Sequence, residues 1–62
     1  MKWVFGFNLF KGQRVFGIQK GEKTYYADNM HVADTSAHVI LIQHAFGGIE
    51  SCPPETKFLV KE

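Results

Sequence analysis

The chain has 62 residues, a single cysteine and a formal net charge of +1. That length makes one small domain, with little room for a substrate pocket of about 300 Å³ or more. The lone Cys52 excludes an internal disulfide and a multi-cysteine metal site, and the small net charge excludes a protein that holds nucleic acid by charge alone.

The charge is unevenly spread. Residues 1–27 carry Lys2, Lys11, Arg14, Lys20 and Lys23 against Glu22, a balance of +4. Residues 28–62 carry Asp28, Asp34, Glu50, Glu55 and Glu62 against Lys57 and Lys61, a balance of −3. Aromatic residues make up 15%, enough to fill a core and still leave surface for binding. Met1-Lys2 runs straight into alternating aromatics, without the apolar core of a secretory signal. No stretch approaches the roughly 20 apolar residues of a membrane span. The expectation is a soluble, cytoplasmic protein with no membrane contact.

Trp3 to Gln19 holds a short repeat. Val4-Phe5-Gly6-Phe7-Asn8 is echoed by Val15-Phe16-Gly17-Ile18-Gln19, and each copy is followed by a Lys-Gly pair, Lys11-Gly12 and Lys20-Gly21. From Lys2 to Phe10, Trp3, Phe5, Phe7 and Leu9 form an apolar parity, whereas Val4, Gly6, Asn8 and Phe10 form a mixed one. This is the pattern of a strand with one buried face. A turn at Lys11-Gly12, with glycine where positive φ is needed, pairs this strand with the segment that follows. The register sets Phe7 opposite Phe16, Phe5 opposite Ile18 and Gly6 opposite Gly17. It predicts Trp3, Phe5, Phe7, Leu9, Phe16 and Ile18 on the core face. A second turn at Gly21-Glu22 leads into a strand from Lys23 to Ala27, with Tyr25 opposite Ile18 and Tyr26 opposite Gly17. Gly6, Gly17 and Tyr26 then form one outer row, in which the Tyr ring covers bare glycine backbone.

Met30 to Phe46 contains no Gly or Pro. Asp28 or Asn29 can cap a helix start and Gly47-Gly48 can end one, so the segment predicts a helix facing the sheet with Met30, Ala33, Ala37, Ile40, Leu41 and His44. The competing reading is a turn at Thr35-Ser36 and a buried strand from His38 to Phe46, suggested by the apolar, β-branched run at 39–42. As a helix, the segment leaves Val32, Val39, Ile42 and Phe46 on a second side that should be polar in a monomer. These four residues are the expected self-association surface, and a short chain gains buried area by dimerising. Pro53-Pro54 lies in a loop from Gly47 to Thr56. Lys57 to Lys61 reads as a last strand with Phe58 and Val60 on one face. The expected fold is α+β in a single domain, residues 1–62: a three-stranded antiparallel meander, one packed helix and a C-terminal strand (β-β-β-α-β). The alternative is an all-β small barrel.

Little in the sequence points to catalysis. On a helix His31 and His38 are two turns apart, about 10.5 Å, too far to share an ion. Cys52 stands beside two prolines with no orienting third group. The carboxylates are not paired within apolar sequence, and phosphate-cradling glycine motifs are absent. No enzyme activity, cofactor or metal is expected.

Val15-Phe16-Gly17-Ile18 and Phe5-Gly6-Phe7 resemble, four residues at a time, the Gly-aromatic strands of RNA-recognition and cold-shock modules. That resemblance implies bases stacked on exposed strand aromatics. The order of elements is also similar to that of small viral inhibitors of host enzymes. The expected function is a regulatory or inhibitor-like binding module acting by protein–protein contact, homodimeric through Val32, Val39, Ile42 and Phe46. The alternative is a nucleic-acid binder using what the register leaves outside: Phe10, Lys11, Arg14, Lys20, Lys23 and Tyr26.

Overall fold

In the computed structural model, which describes residues 1–62, the segment from Met30 to Phe46 is strand and turn rather than helix. Met30 and Val32 belong to strand β3 (Lys23–Thr35), and Ile40 and Ile42 to β4 (Ile40–Gln43). The two-residue period of a strand turns all four inward, each at most 1% exposed. A helix would have split them between two sides. The β-branched residues at 39, 40 and 42 also fit a pleated surface better than a helical turn. Ser36 anchors the intervening turn. Its N–H donates to the Val39 carbonyl at 3.0 Å, and its Oγ accepts from the N–H groups of His38 and Val39 at 3.3 Å. Asn29, a candidate helix cap in the sequence, instead sits inside β3 with φ +60°.

The other strands are β1 (Lys2–Phe5), β2 (Arg14–Lys20), β5 (Ile49–Cys52) and β6 (Lys57–Val60). One antiparallel sheet joins all six, in the order β1-β6-β2-β3-β4-β5. The α+β expectation is therefore corrected: the chain is all-β, and its one helical element is a single 3-10 turn at Gly6–Asn8.

The sheet is strongly curled. Drawn straight, the 13 residues of β3 would span about 43 Å, but the molecule measures only 24 × 23 × 22 Å. Two irregularities bend the strand. Phe16 of β2 faces three residues of β3 between the pairs Val15–Met30 and Gly17–Tyr26. Further on, Ala33 is an extra residue between the pairs Val32–Ile42 and Asp34–Leu41. Bulges of this kind kink and twist a strand, so β3 serves β2 with its first half and β4 with its second.

The N-terminal strand also departs from expectation. It pairs with β6, setting Trp3 against Leu59 and Phe5 against Lys57, and makes no hairpin with β2. The chain leaves the sheet at Gly6, where an added Cβ would lie 2.5 Å from Ile40 Cδ1. The 3-10 turn then carries Leu9 into the core. Lys11-Gly12 is a turn, but it docks on β3. The Gly12 N–H donates to the Val32 carbonyl and the Val32 N–H to the Gln13 carbonyl, both at 2.8 Å. The two halves of the repeat are thus not hairpin partners.

The second turn matches the sequence reading. Lys20 and Lys23 flank Gly21-Glu22, Gly21 adopts φ +62°, and Ile18–Tyr25 and Gly17–Tyr26 are paired. The last strand also matches, with Phe58 and Val60 turned inward. Around them the core is Leu9, Val15, Ile18, Met30, Val32, Ile40, Ile42 and Cys52. Phe58 is its only aromatic. Of the residues predicted inside, Trp3, Phe5 and Phe7 are exposed, and Phe16 and Tyr25 are half-buried. No helix is long and apolar enough to cross a membrane.

Candidate functional site

Residues paired across antiparallel strands point to the same side of a sheet. The row Val4, Phe58, Ile18, Tyr25 faces inward, so the next row, Trp3, Leu59, Gly17, Tyr26, faces outward. Gly17 shapes that outer row. With no side chain standing between them, the Trp3 and Tyr26 rings meet above the glycine, centroids 6.1 Å apart and planes at 62°. A Cβ on Gly17 would lie 2.9 Å from Tyr26 Cδ1 and 3.2 Å from Trp3 Cη2.

The adjacent outer row is Phe5, Lys57, Gln19, Thr24. Phe5 stacks on Phe7 of the 3-10 turn, centroids 6.1 Å apart and planes 8° from parallel. Lys57 Nζ lies 5.3 Å from the centre of the Phe5 ring. Phe16 extends the aromatic surface at the bulge. It borders one hollow with Tyr26 and Leu59 and another with Phe10, Arg14 and Lys61. Arg14 lies 5.3 Å over the Phe16 ring and donates to Asn29 Oδ1 at 3.0 Å. Six of the nine aromatic residues are exposed: Trp3, Phe5, Phe7, Phe10, Tyr26 and Phe46.

A separate polar cluster is built around Glu50 of β5. Tyr25 Oη and Lys20 Nζ donate to Glu50 Oε2, the latter at 3.2 Å, and His44 Nε2 lies 2.8 Å from Oε1. An ionised carboxylate only accepts, so His44 donates from Nε2. Lys20 also donates to the Ser51 carbonyl at 2.8 Å. In a flat sheet β2 and β5 would be three spacings apart, about 14 Å. The curl brings them within reach, and the cluster ties the β2–β3 hairpin to the edge strand β5. Burial raises the Tyr25 hydroxyl well above its usual value, and its bond to the Glu50 carboxylate adds to the effect. Burial alone would also raise the Glu50 carboxyl. The hydrogen bonds from Tyr25, His44 and Lys20 outweigh it and hold that carboxyl below its usual range.

The expected self-association surface is not assembled. Val32 and Ile42 are in the core, Val39 is half-buried in the turn before β4, and Phe46 stands fully exposed at the tip of the β4–β5 hairpin. The expected anionic-partner residues fall into two groups. Phe10, Arg14 and Tyr26 border the aromatic surface through Phe16, with Lys11 exposed in the turn between Phe10 and Arg14. Lys20 and Lys23 instead line a cleft with Tyr25 and Glu50, where Lys20 is already ion-paired. Of the histidines, His31 and His38 are exposed and His44 is bound to Glu50. No group of three His, Cys, Asp or Glu side chains could hold a metal ion.

Sequence reasoning placed Trp3, Phe5 and Phe7 on the wrong side and gave Lys57 and Leu59 no role. Alternation had shown that Trp3 and Phe5 share a side. Which side is buried is decided by Val4, which packs against the core opposite Phe58 of the distant β6. No family model, curated protein or solved structure matches this chain.

Proposed function

We propose that this chain is a small non-enzymatic binding module that meets its partner through the outer face of β1, β6, β2 and β3. The observation that carries this reading is the placement of Trp3, Phe5 and Tyr26 outside the sheet, with Phe7 stacked beside them, while aliphatic residues and Phe58 fill the core. Contiguous exposed aromatics on a small domain mark an interaction surface, and Trp and Tyr are the side chains that most often anchor one. The groups best suited to chemistry are committed elsewhere. Glu50 accepts from three donors, and burial pushes the Cys52 thiol up to about 11, which keeps it from acting as a nucleophile.

Stability measurements test this division of labour without a known partner. Phe5→Ser, Phe7→Ser and Tyr26→Ser each lose a ring pair and are expected to cost only about 0.5–1 kcal/mol, a fall in Tm of about 2–8 °C. A fall of more than about 10 °C in each would assign these rings to folding and remove the proposal's main support.

A further inference from the structure

Resting on the reading of the aromatic face as the contact surface, we infer that its ligand is single-stranded nucleic acid. The inference joins stacking surface to charge. The three strands that carry most of the face hold Lys2 in β1, Arg14 and Lys20 in β2 and Lys57 in β6, and no carboxylate. β3, β4 and β5 hold Asp28, Asp34 and Glu50 against Lys23 alone. Lys2 shares the inward side of Val60 and Lys20 is bound to Glu50, so the cations that stand with the rings are Lys57 and Arg14, with Lys61 beside Phe16. The nearby carboxylates are Asp28, beside Phe16 and Tyr26, and Glu62, which pairs with the Met1 amine at 3.3 Å.

The cations are also placed for a ligand that alternates planar rings with phosphates. Lys57 sits over Phe5, and Arg14 sits over Phe16. Neither has a carboxylate partner, whereas Lys20 is bound to Glu50 on the other side of the molecule. Trp3 and Phe5 lie two residues apart on one strand face, about 6.7 Å. The Trp3–Tyr26 pair and the Phe5–Phe7 pair thus offer two neighbouring platforms for successive bases. Stacking of this kind needs unpaired bases, and every base has a face to offer, so the face selects single strands with little sequence preference. A duplex keeps its bases stacked inside and presents only phosphates.

Trp3 is the only tryptophan, so its fluorescence reports directly on the face. The test titrates the full chain with a 12-nucleotide oligo-dT, the matching oligo-rU and a 12-base-pair duplex. Expected are quenching of Trp3 by both single strands and weaker binding of the duplex. With Arg14, Lys57 and Lys61 on phosphates, affinity should fall about 20-fold between 50 and 200 mM salt. Phe5→Ser and Tyr26→Ser should each weaken binding at least about fivefold, and Lys20→Gln should leave it unchanged. Absence of binding at 50 mM salt up to 100 µM protein would overturn the ligand class. If Phe5→Ser and Tyr26→Ser still lower Tm by less than about 10 °C, the face would remain a surface for another partner, and concentration-dependent sedimentation abolished by Tyr26→Ser would identify that partner as a second copy. Binding that survives Phe5→Ser and Tyr26→Ser but is lost in Lys20→Gln would overturn the assignment of the face itself.

Discussion

Glu50→Ala removes the acceptor shared by Tyr25, His44 and Lys20, three side chains from three different parts of the sheet. The Glu50 side chain is 21% exposed, and those of Lys20 and His44 are 37% and 29% exposed, so water screens each bond in part. Taking about 1 kcal/mol per bond, below the usual range for charged groups, the substitution costs about 2–3 kcal/mol. For a chain of this size that is a fall in Tm of about 10–20 °C. The assay is thermal unfolding followed by far-UV circular dichroism at pH 7, with Tyr25→Phe and the double variant completing a cycle. Because Tyr25 and Glu50 are bonded, the two substitutions should be non-additive by at least about 0.5 kcal/mol. The pH dependence has a definite sign. Glu50 has a lower pKa folded than unfolded, so its contribution is fully present above its ordinary value of 4.5 and is lost as pH falls through the folded value. The wild-type chain should therefore lose more stability than Glu50→Ala as pH drops from 5 to 2. A Tm for Glu50→Ala within 3 °C of wild type, with an unchanged acid limb, would refute the claim that this cluster holds the sheet closed.

Gly6→Ala forces a methyl group to within 2.5 Å of Ile40 Cδ1 and should cost about 1–3 kcal/mol in equilibrium urea unfolding. Gly17→Ala meets Tyr26 Cδ1 at 2.9 Å and Leu59 Cβ and Trp3 Cη2 at 3.2 Å, looser than the Gly6 contacts with buried Ile40, so it should cost less than Gly6→Ala while shifting Trp3 emission by separating the pair. Phe58→Ala empties the centre of the core and should cost about 3–5 kcal/mol, leaving the chain largely unfolded at 25 °C by circular dichroism. Phe46→Ser, at a fully exposed hairpin tip, should change stability by less than about 0.5 kcal/mol.

What could be read from the sequence was mostly local. The turn at Gly21-Glu22 juxtaposes its flanking residues, so the Ile18–Tyr25 and Gly17–Tyr26 pairs followed from spacing alone. The last strand was legible because Phe58 and Val60 alternate between a turn and the chain end. The helix expected at Met30–Phe46 failed because its apparent caps were ambiguous. Asp28-Asn29 and Gly47-Gly48 are turn and bulge residues as readily as helix ends, and Asn29 occupies the bulge of β3. The β-branched residues at 39, 40 and 42 were the better guide.

The aromatic face was hidden for a different reason. Period-two alternation tells which residues share a side but not which side is buried. In β1 both sides carry apolar groups, and the choice rests on pairing with β6, more than fifty residues away. The core had enough Ile, Val, Leu and Met from other strands to fill itself with Phe58 as its one aromatic. The Glu50 cluster had no local signal either, because its four side chains come from separate elements that meet only when the sheet curls.

The central proposal is that the outer aromatic face binds single-stranded nucleic acid, and its most direct test is two-dimensional NMR of the labelled protein with oligo-dT at 50 mM salt. The account predicts the largest shift changes at Trp3, Phe5, Gly17, Tyr26, Lys57 and Leu59, and little change at Lys20, Lys23 and Glu50. Changes centred on Lys20, Lys23 and Glu50, or none anywhere at saturating oligonucleotide, would contradict it.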